Sequence, residues 1–391
     1  MSLSIASWRT EDLPLWKNQI IPAFNAEHPD IKVTFEPTTN TEYNAALDSK
    51  LDGGTAADII TCRPFDLSDA LNQQGHLVPL GDLKGINSFP ELARSAWAAD
   101  DGTPFCVPMA SVIHGFYYNA DIFAKLGLKE PTTQAEFVQV LQAIKDDGKY
   151  APLAWGTADE WIASQTAFTN VGPGYWHGED GRRALVSGEK KFTDPQFVAA
   201  WQALADWQPF FPKGYQGITY TDTQQLFTLG RAAIFPGGSW EITSFKDAKF
   251  KIGVFPPPVP KQGDDCYITD HTDIAMGINA ASKKQEAART FLEWVTGGKF
   301  AGIYANKLPG FFPLTKEEVT IDEPLAKEFV SFRDECKSTV RLPDEKLSAG
   351  KPNTDNQVGA LTVQMWNGKL TPEKVAQEMQ RGLASWYQPQ R

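Results

Sequence analysis

The sequence predicts an α/β protein of two domains. Three observations predict it. At 391 residues the chain is longer than one ordinary core organises. Its first sixty residues alternate strand, helix, strand, helix, strand, the rhythm of a doubly wound layer. The run Asp58-Ile59-Ile60-Thr61 lacks polar alternation within its apolar core, which suits a parallel strand covered on both faces.

Residues 4–8 read as the first strand. Glu11-Asp12-Leu13-Pro14 then opens a helix whose Leu13, Trp16, Ile20 and Phe24 recur at helical spacing, which assigns Trp16 to the core. Residues 31–35 alternate as a strand, and residues 41–51 form a helix closed by Gly53-Gly54. Ligands of such sheets sit beyond strand carboxyl ends. Here those ends are Trp8-Arg9-Thr10-Glu11, residues 37–41, and Cys62-Arg63-Pro64-Phe65-Asp66. Residues 105–108 and 112–118 are extended, and residues 121–126 form a helix ended by Gly127. Pro131-Thr132-Thr133 starts a longer helix through Ile144, with Glu136 at capping-box spacing from Thr133. Residues 166–168 and 197–207 are helical, and Trp201, four residues after Phe197, belongs to the core. Between them, Gly172-Pro173-Gly174-Tyr175-Trp176-His177-Gly178 reads as a glycine-rich loop. Strands over 250–254 and 274–278 and helices over 285–295, 324–333, 357–366 and 372–384 complete the chain.

Residues 229–240 carry the clearest functional pattern. Gly230 ends a helix, residues 232–235 form a short buried strand, and Pro236-Gly237-Gly238 breaks that strand just before Trp240. A flat aromatic on such a loop suits a molecule with apolar faces and polar edges, as a sugar is. A surface turn whose Trp240 folds back onto the core is the competing reading.

Composition excludes more than it assigns. The chain is 42% hydrophobic and 22% charged, as soluble domains are, and no stretch approaches 18 apolar residues. A net charge of −11 argues against nucleic acid and anionic membranes as partners. The four cysteines (Cys62, Cys106, Cys266, Cys336) lack CxxC or zinc spacing and permit zero, one or two disulfides. There is no GxSxG, GxxxxGK[ST] or HExxH, and no GxGxxG after the first strand. His271-Thr272-Asp273 offers only two donors to a metal, so neither metal nor cofactor is expected.

Several segments resemble the carbohydrate-binding proteins of ABC importers, the extracellular solute-binding family that includes maltose-binding protein. Residues 277–295 (Gly277-Ile278-Asn279-Ala280-Ala281-Ser282 and the following helix) are similar to that family's strand, small-residue turn and helix. Tyr117-Tyr118-Asn119-Ala120-Asp121 resembles its YN motif, and Gly127-Leu128 through Pro131-Thr132-Thr133 and Glu136 its G-L-x-x-P-x-T-x-x-E stretch. Residues 230–240 resemble its G-x-A-A-x-x-x-x-G-x-W, and Gly368-Lys369-Leu370-Thr371-Pro372-Glu373 the turn before its final helix. The resemblance implies a type II-like, two-lobe periplasmic-binding-protein fold, with a hinge and a ligand cleft. One lobe would comprise residues 1–111 and 271–312, the other residues 112–270 and 313–391. It further implies a monomeric, non-enzymatic periplasmic protein that delivers a mono- or oligosaccharide to a membrane permease, its signal peptide absent from this chain. A glycosidase with a carboxylate pair, or the same fold binding a polyamine or other non-sugar solute, is the alternative.

A bound sugar must regain the hydrogen bonds water gave it, since each buried unpaired polar group costs about 1–3 kcal/mol. Its C–H faces favour aromatic rings, each worth about 1 kcal/mol by analogy with aromatic pairs. Candidate ligand contacts are therefore Trp8, Glu11, Asn40, Arg63 and Asp66 at strand ends, and His114 on the first crossing. Trp161, Trp176, Gly237 and Trp240 follow in the second lobe, with Trp161 and Trp240 as stacking platforms. His271, Asp273 and Phe311 lie at the later crossings. Trp8, Glu11, Asn40 and His114 each have a competing structural role, as core residue, helix-terminal charge, helix cap and satisfied buried histidine respectively.

Overall fold

The computed structural model describes residues 1–40, 42–99, 101–316, 318–342 and 347–389, with the side chains of all but Asp66 and Leu92. The chain forms two compact units, each discontinuous. Unit 1 is Met1–Val112 with Thr272–Glu323, and unit 2 is Ile113–His271 with Pro324–Arg391. In chain order the strands are β1 (Ser2–Ser7), β2 (Lys32–Pro37), β3 (Ile59–Cys62), β4 (Val107–Asn119) and β5 (Ala151–Leu153). They continue with β6 (Ala232–Gly238), β7 (Ile252–Phe255), β8 (Tyr267–Ile278), β9 (Phe312–Pro313) and β10 (Lys337–Thr339).

In unit 1, β1 lies between β2 and β3, parallel to both, and β3 pairs antiparallel with the Ala275–Ile278 end of β8. All four residues of β3 are buried, as its unbroken apolar character demands. In β2, buried Val33 and Phe35 alternate with exposed Lys32, Thr34 and Glu36, which suits an edge strand with one face covered. Trp16 lies flat on Phe35 at 4.6 Å and 3°, and touches Phe291 of the helix Gln285–Val295. Trp16, Ile20 and Phe24 of the expected stripe are thus buried, but Leu13 is exposed, and Trp16–Ile20 winds as a π-helix rather than with α-helical spacing. The disulfide Cys62–Cys106 ties the end of β3 to the residue before β4.

In unit 2 one sheet runs β7-β4-β6-β5, antiparallel except for the β5–β6 pair, and β10 pairs parallel with the Tyr267–Thr269 end of β8. The helix Gln134–Asp147 starts with the complete Thr133/Glu136 capping box, and Gly127 ends the preceding helix in the left-handed conformation. Phe116 on β4 stacks on Phe255 of β7 at 5.2 Å, and Phe137, Trp207, Trp155 and Trp366 extend this aromatic core. Trp201 is buried against Phe168. A second disulfide, Cys266–Cys336, joins the two separate chain segments of unit 2.

Two local expectations are corrected. The segment around Trp176 is no loop, because Thr169–Trp176 is a helix that continues a helical run from Trp161. A Cβ at Gly172 would lie 2.0 Å from the Trp176 indole, so this glycine admits the ring one turn along rather than loosening the backbone. Nor does Pro236-Gly237-Gly238 break the strand. β6 runs through Gly238, paired to Phe116, Gly115 and His114 of β4. Pro236 lies past the end of β5, with β4 alone beside it, a position a sheet proline tolerates.

Candidate functional site

In unit 2, β6 delivers Trp240 two residues beyond its end, in the short 3-10 turn Ser239–Glu241. A Cβ at Gly238 would sit 2.0 Å from the indole, so the glycine makes the room in which the ring folds back. Trp240 is half-buried, and its Nε1–H donates to the Tyr220 hydroxyl at 3.0 Å. That hydroxyl in turn donates to Oε1 of Glu241, whose Oε2 accepts from Gln224 Nε2 at 2.8 Å. Burial, followed by the Glu241 charge, pushes the Tyr220 phenol well above its ordinary value, so it keeps its proton. Trp161, the first residue of its helical run, sets its ring against Tyr220 at 4.7 Å and 61°.

His114 also meets Trp240, at 5.0 Å and edge-on. Its Nε2 faces the Nε2 of His271 at 3.1 Å, and both rings are buried. One imidazole must donate and the other accept. Burial, then the charge of Arg341, holds the His114 pKa well below 6.5, so His114 is neutral. Arg341 donates to the Gln165 side-chain oxygen. Gln165 and Ser164 both donate to Asp355, in the first turn of the helix Thr354–Trp366.

In unit 1, Trp8 follows β1 and is buried rather than open. The Arg63 guanidinium covers one face at 4.3 Å, and Tyr43 meets its edge at 5.6 Å. Arg63 donates to Asn40 Oδ1 at 2.6 Å and Asn44 Oδ1 at 3.0 Å. Asn40 therefore holds Arg63, and Glu42, at the N-cap of the helix Tyr43–Asp52, makes no side-chain cap. Asp66 opens the helix Asp66–Gln73, but its side chain lies outside the described residues.

A second unit 1 group surrounds Arg9. It is buried, bonded through Nε and Nη2 to the two oxygens of buried Asp12 at 2.9 Å each, and stacked at 4.4 Å on Phe311. Glu11 reaches Arg9 from solvent at 3.0 Å. Tyr304 is buried here too. Burial and the Asp12 charge, with a smaller contribution from Asp273 on β8, push its phenol well above the ordinary value.

The structure thus brings together His114, Trp161, Trp240 and His271 in unit 2. It groups Trp8, Asn40 and Arg63 at one place in unit 1, and Glu11, Asp273 and Phe311 around Arg9 and Tyr304 at another. It sets Trp176 apart, buried between Phe168 and Phe197. Gly237 contributes only a carbonyl, which accepts from buried Asn170 at 3.2 Å within the sheet. Sequence reasoning missed Arg9, Asp12, Tyr220, Gln224, Glu241 and Arg341. Glu241 was available from its place beside Trp240. Tyr220 lies twenty residues upstream at a helix start, with no local signal linking it to an indole. Among the described residues no cluster of three or more metal-ligating side chains occurs.

The chain belongs to the bacterial extracellular solute-binding proteins, whose family model matches residues 7–299. It is 26% identical over 290 residues to the multiple sugar-binding protein of Streptococcus mutans, across 71% of this chain and 67% of that one. It is 27% identical over 310 residues to the maltodextrin-binding protein of Bacillus subtilis, across 75% and 70%. A solved chitin oligosaccharide binding protein shares the fold, with a TM-score of 0.83 at 23% identity over 98% of each chain.

Proposed function

We propose that this protein is the carbohydrate-binding component of an ABC importer. It captures a mono- or oligosaccharide as a monomer in the periplasm and hands it, chemically unchanged, to a membrane permease. One observation carries the reading: two half-buried indoles, Trp161 and Trp240, meet at Tyr220 amid polar side chains. Because the Trp240 N–H is already bonded to Tyr220, the indole asks nothing of a ligand but its face. The flat C–H side of a pyranose meets that demand. The names of the sugar-binding and maltodextrin-binding relatives support the same class of ligand. Two disulfides support an oxidising compartment.

Titration calorimetry of ligand-free protein against monosaccharides, maltodextrins and chitin oligosaccharides tests the proposal. A micromolar complex corresponds to about −8 kcal/mol and gives clear heat. Silence across the panel refutes it. Trp240→Ala should lose most of the affinity while circular dichroism stays native, and full retention would remove the stacking role. Mass spectrometry of the sugar after incubation should return it intact; a cleaved product would favour a glycosidase.

A further inference from the structure

The two disulfides differ in what surrounds their sulfurs. In unit 1, Cys62 and Cys106 are 1% and 0% exposed. Gly277 of β8 packs directly on them, where a Cβ would lie 2.8 Å from the Cys106 Sγ and 3.1 Å from the Cys62 Sγ. In unit 2, Cys266 and Cys336 both line a groove of about 440 Å³, and Cys266 is half-buried. Pro256-Pro257-Pro258 forms one wall of that groove, and the fixed φ of each proline stiffens it. Gln134 Nε2 anchors the wall by donating to the Pro258 carbonyl at 3.2 Å. The Val259 N–H adds a second anchor, donating to the Thr132 carbonyl at 2.9 Å. Three exposed carboxylates, Glu130, Asp264 and Glu335, also line the groove, and no lysine or arginine does among the described residues.

We propose that Cys266–Cys336 is a thiol-exchange site of the folded protein, one that favours thiols carrying positive charge over thiols carrying negative charge. A thiolate entering the groove attacks Sγ of Cys266, the more exposed sulfur. A new S–S bond forms, the Cys266–Cys336 bond breaks, and its electron pair leaves on Cys336 Sγ, which takes a proton from water. With a dithiol, the second thiol then displaces Cys266 and its proton passes to that sulfur. The reagent departs as its own cyclic disulfide, and two protein thiols remain. Contacts other than the bond hold the two cysteines together afterwards. The residues that follow them, Tyr267 and Lys337, pair in the parallel β8–β10 ladder. The Lys337 ammonium meets Asp265 at 2.6 Å, and Arg333 makes two bonds to Asp270 at 2.7 and 3.0 Å. The opened site therefore keeps its thiols adjacent and recloses on oxidation. The charge preference follows from the three carboxylates, whose field repels an anionic reagent and attracts a cationic one. Lys337 does not offset that field, because Asp265 neutralises it.

The test exposes the oxidised full chain, under native conditions, to cationic dithiobutylamine, neutral dithiothreitol and anionic dihydrolipoate. Iodoacetamide quenches each time point, and peptide mass spectrometry identifies the alkylated cysteines. Each rate is divided by the thiolate fraction of its reagent. Cys266 and Cys336 should open at least about 100-fold faster than Cys62 and Cys106, which wait for the core to open. Circular dichroism should stay native, and removing the reagent in air should restore the bond. The cationic reagent should outpace the anionic one about five-fold at physiological salt, with the neutral one between them. Glu130→Gln/Asp264→Asn/Glu335→Gln keeps an acceptor oxygen at each position and should bring the three rates within about two-fold of one another. Opening of both disulfides together, loss of native dichroism when Cys266–Cys336 opens, or no opening short of unfolding overturns the exchange site. The same rate ratio in the triple variant and the wild type overturns the charge preference.

Discussion

Removing the Cys266–Cys336 disulfide should destabilise the unit it closes by an amount the chain itself sets. The bond spans 70 residues, and the loop it closes contains the whole excursion Thr272–Glu323 into unit 1. Cross-linking removes loop-closure entropy from the unfolded chain, and for a loop of this length the stabilisation is about 4.4 kcal/mol at 25 °C. The Cys62–Cys106 bond spans 44 residues and by the same relation contributes about 4.0 kcal/mol. The two sites differ in surroundings. Cys62 and Cys106 are 1% and 0% exposed, whereas Cys266 is only half-buried. Cys336 is buried too, so Cys266→Ala/Cys336→Ala adds a packing defect at one sulfur, while Cys62→Ala/Cys106→Ala adds one at both, in the unit 1 core. Urea unfolding of the oxidised wild type and both double variants, followed by tryptophan fluorescence, measures the losses. The expected order is a loss of about 4 kcal/mol for the Cys266/Cys336 pair and a larger one for the Cys62/Cys106 pair. A loss under about 1 kcal/mol for Cys266→Ala/Cys336→Ala would refute the loop argument, because it would mean the unfolded segments stay close without the bond.

Acid should weaken the fold through His114. Its pKa is depressed in the folded state, so below about pH 6.5 the unfolded chain binds a proton that the folded chain refuses. Stability attributable to this group is then lost as pH falls from about 6.5, by up to about 1.4 kcal/mol per pH unit. Denaturation at a series of pH values should show a shallower acid slope for His114→Phe, and identical slopes would refute the assignment. Gly238→Ala should expel the indole from its seat, since the new Cβ lies 2.0 Å from the Trp240 ring. Sugar affinity should drop as far as in Trp240→Ala and Trp240 emission should shift to the red; unchanged affinity would show that the seat is not needed.

The fold was legible where a residue's role depends on its near neighbours in sequence. Of the stripe Leu13, Trp16, Ile20 and Phe24, the last three are buried and Trp16 stacks on Phe35, whereas Leu13 is exposed. The Thr133/Glu136 capping box spans four consecutive residues. Local reading failed where a glycine had been taken as freedom. Gly172 and Gly238 each sit under an indole, and a glycine that makes room for a ring cannot be told in sequence from one that loosens a loop. The same limit hid the polar surroundings of Trp240. Tyr220 and Gln224 come from a helix upstream, and His114 and His271 are 157 residues apart. The seven-residue β6 also outran expectation, because pairing with β4 holds Pro236-Gly237-Gly238 extended against their local preference for a turn.

The interleaving of the two units imposes an order of events during synthesis. β3 must wait for its partner β8, which is encoded more than two hundred residues later, and unit 2 must wait for Pro324–Arg391. A chain emerging from the ribosome therefore carries its first 112 residues without the strand that completes their sheet. Such long-range pairing is slow to form. Each unit of this extracellular-family chain therefore stays open until its own last segment has been made.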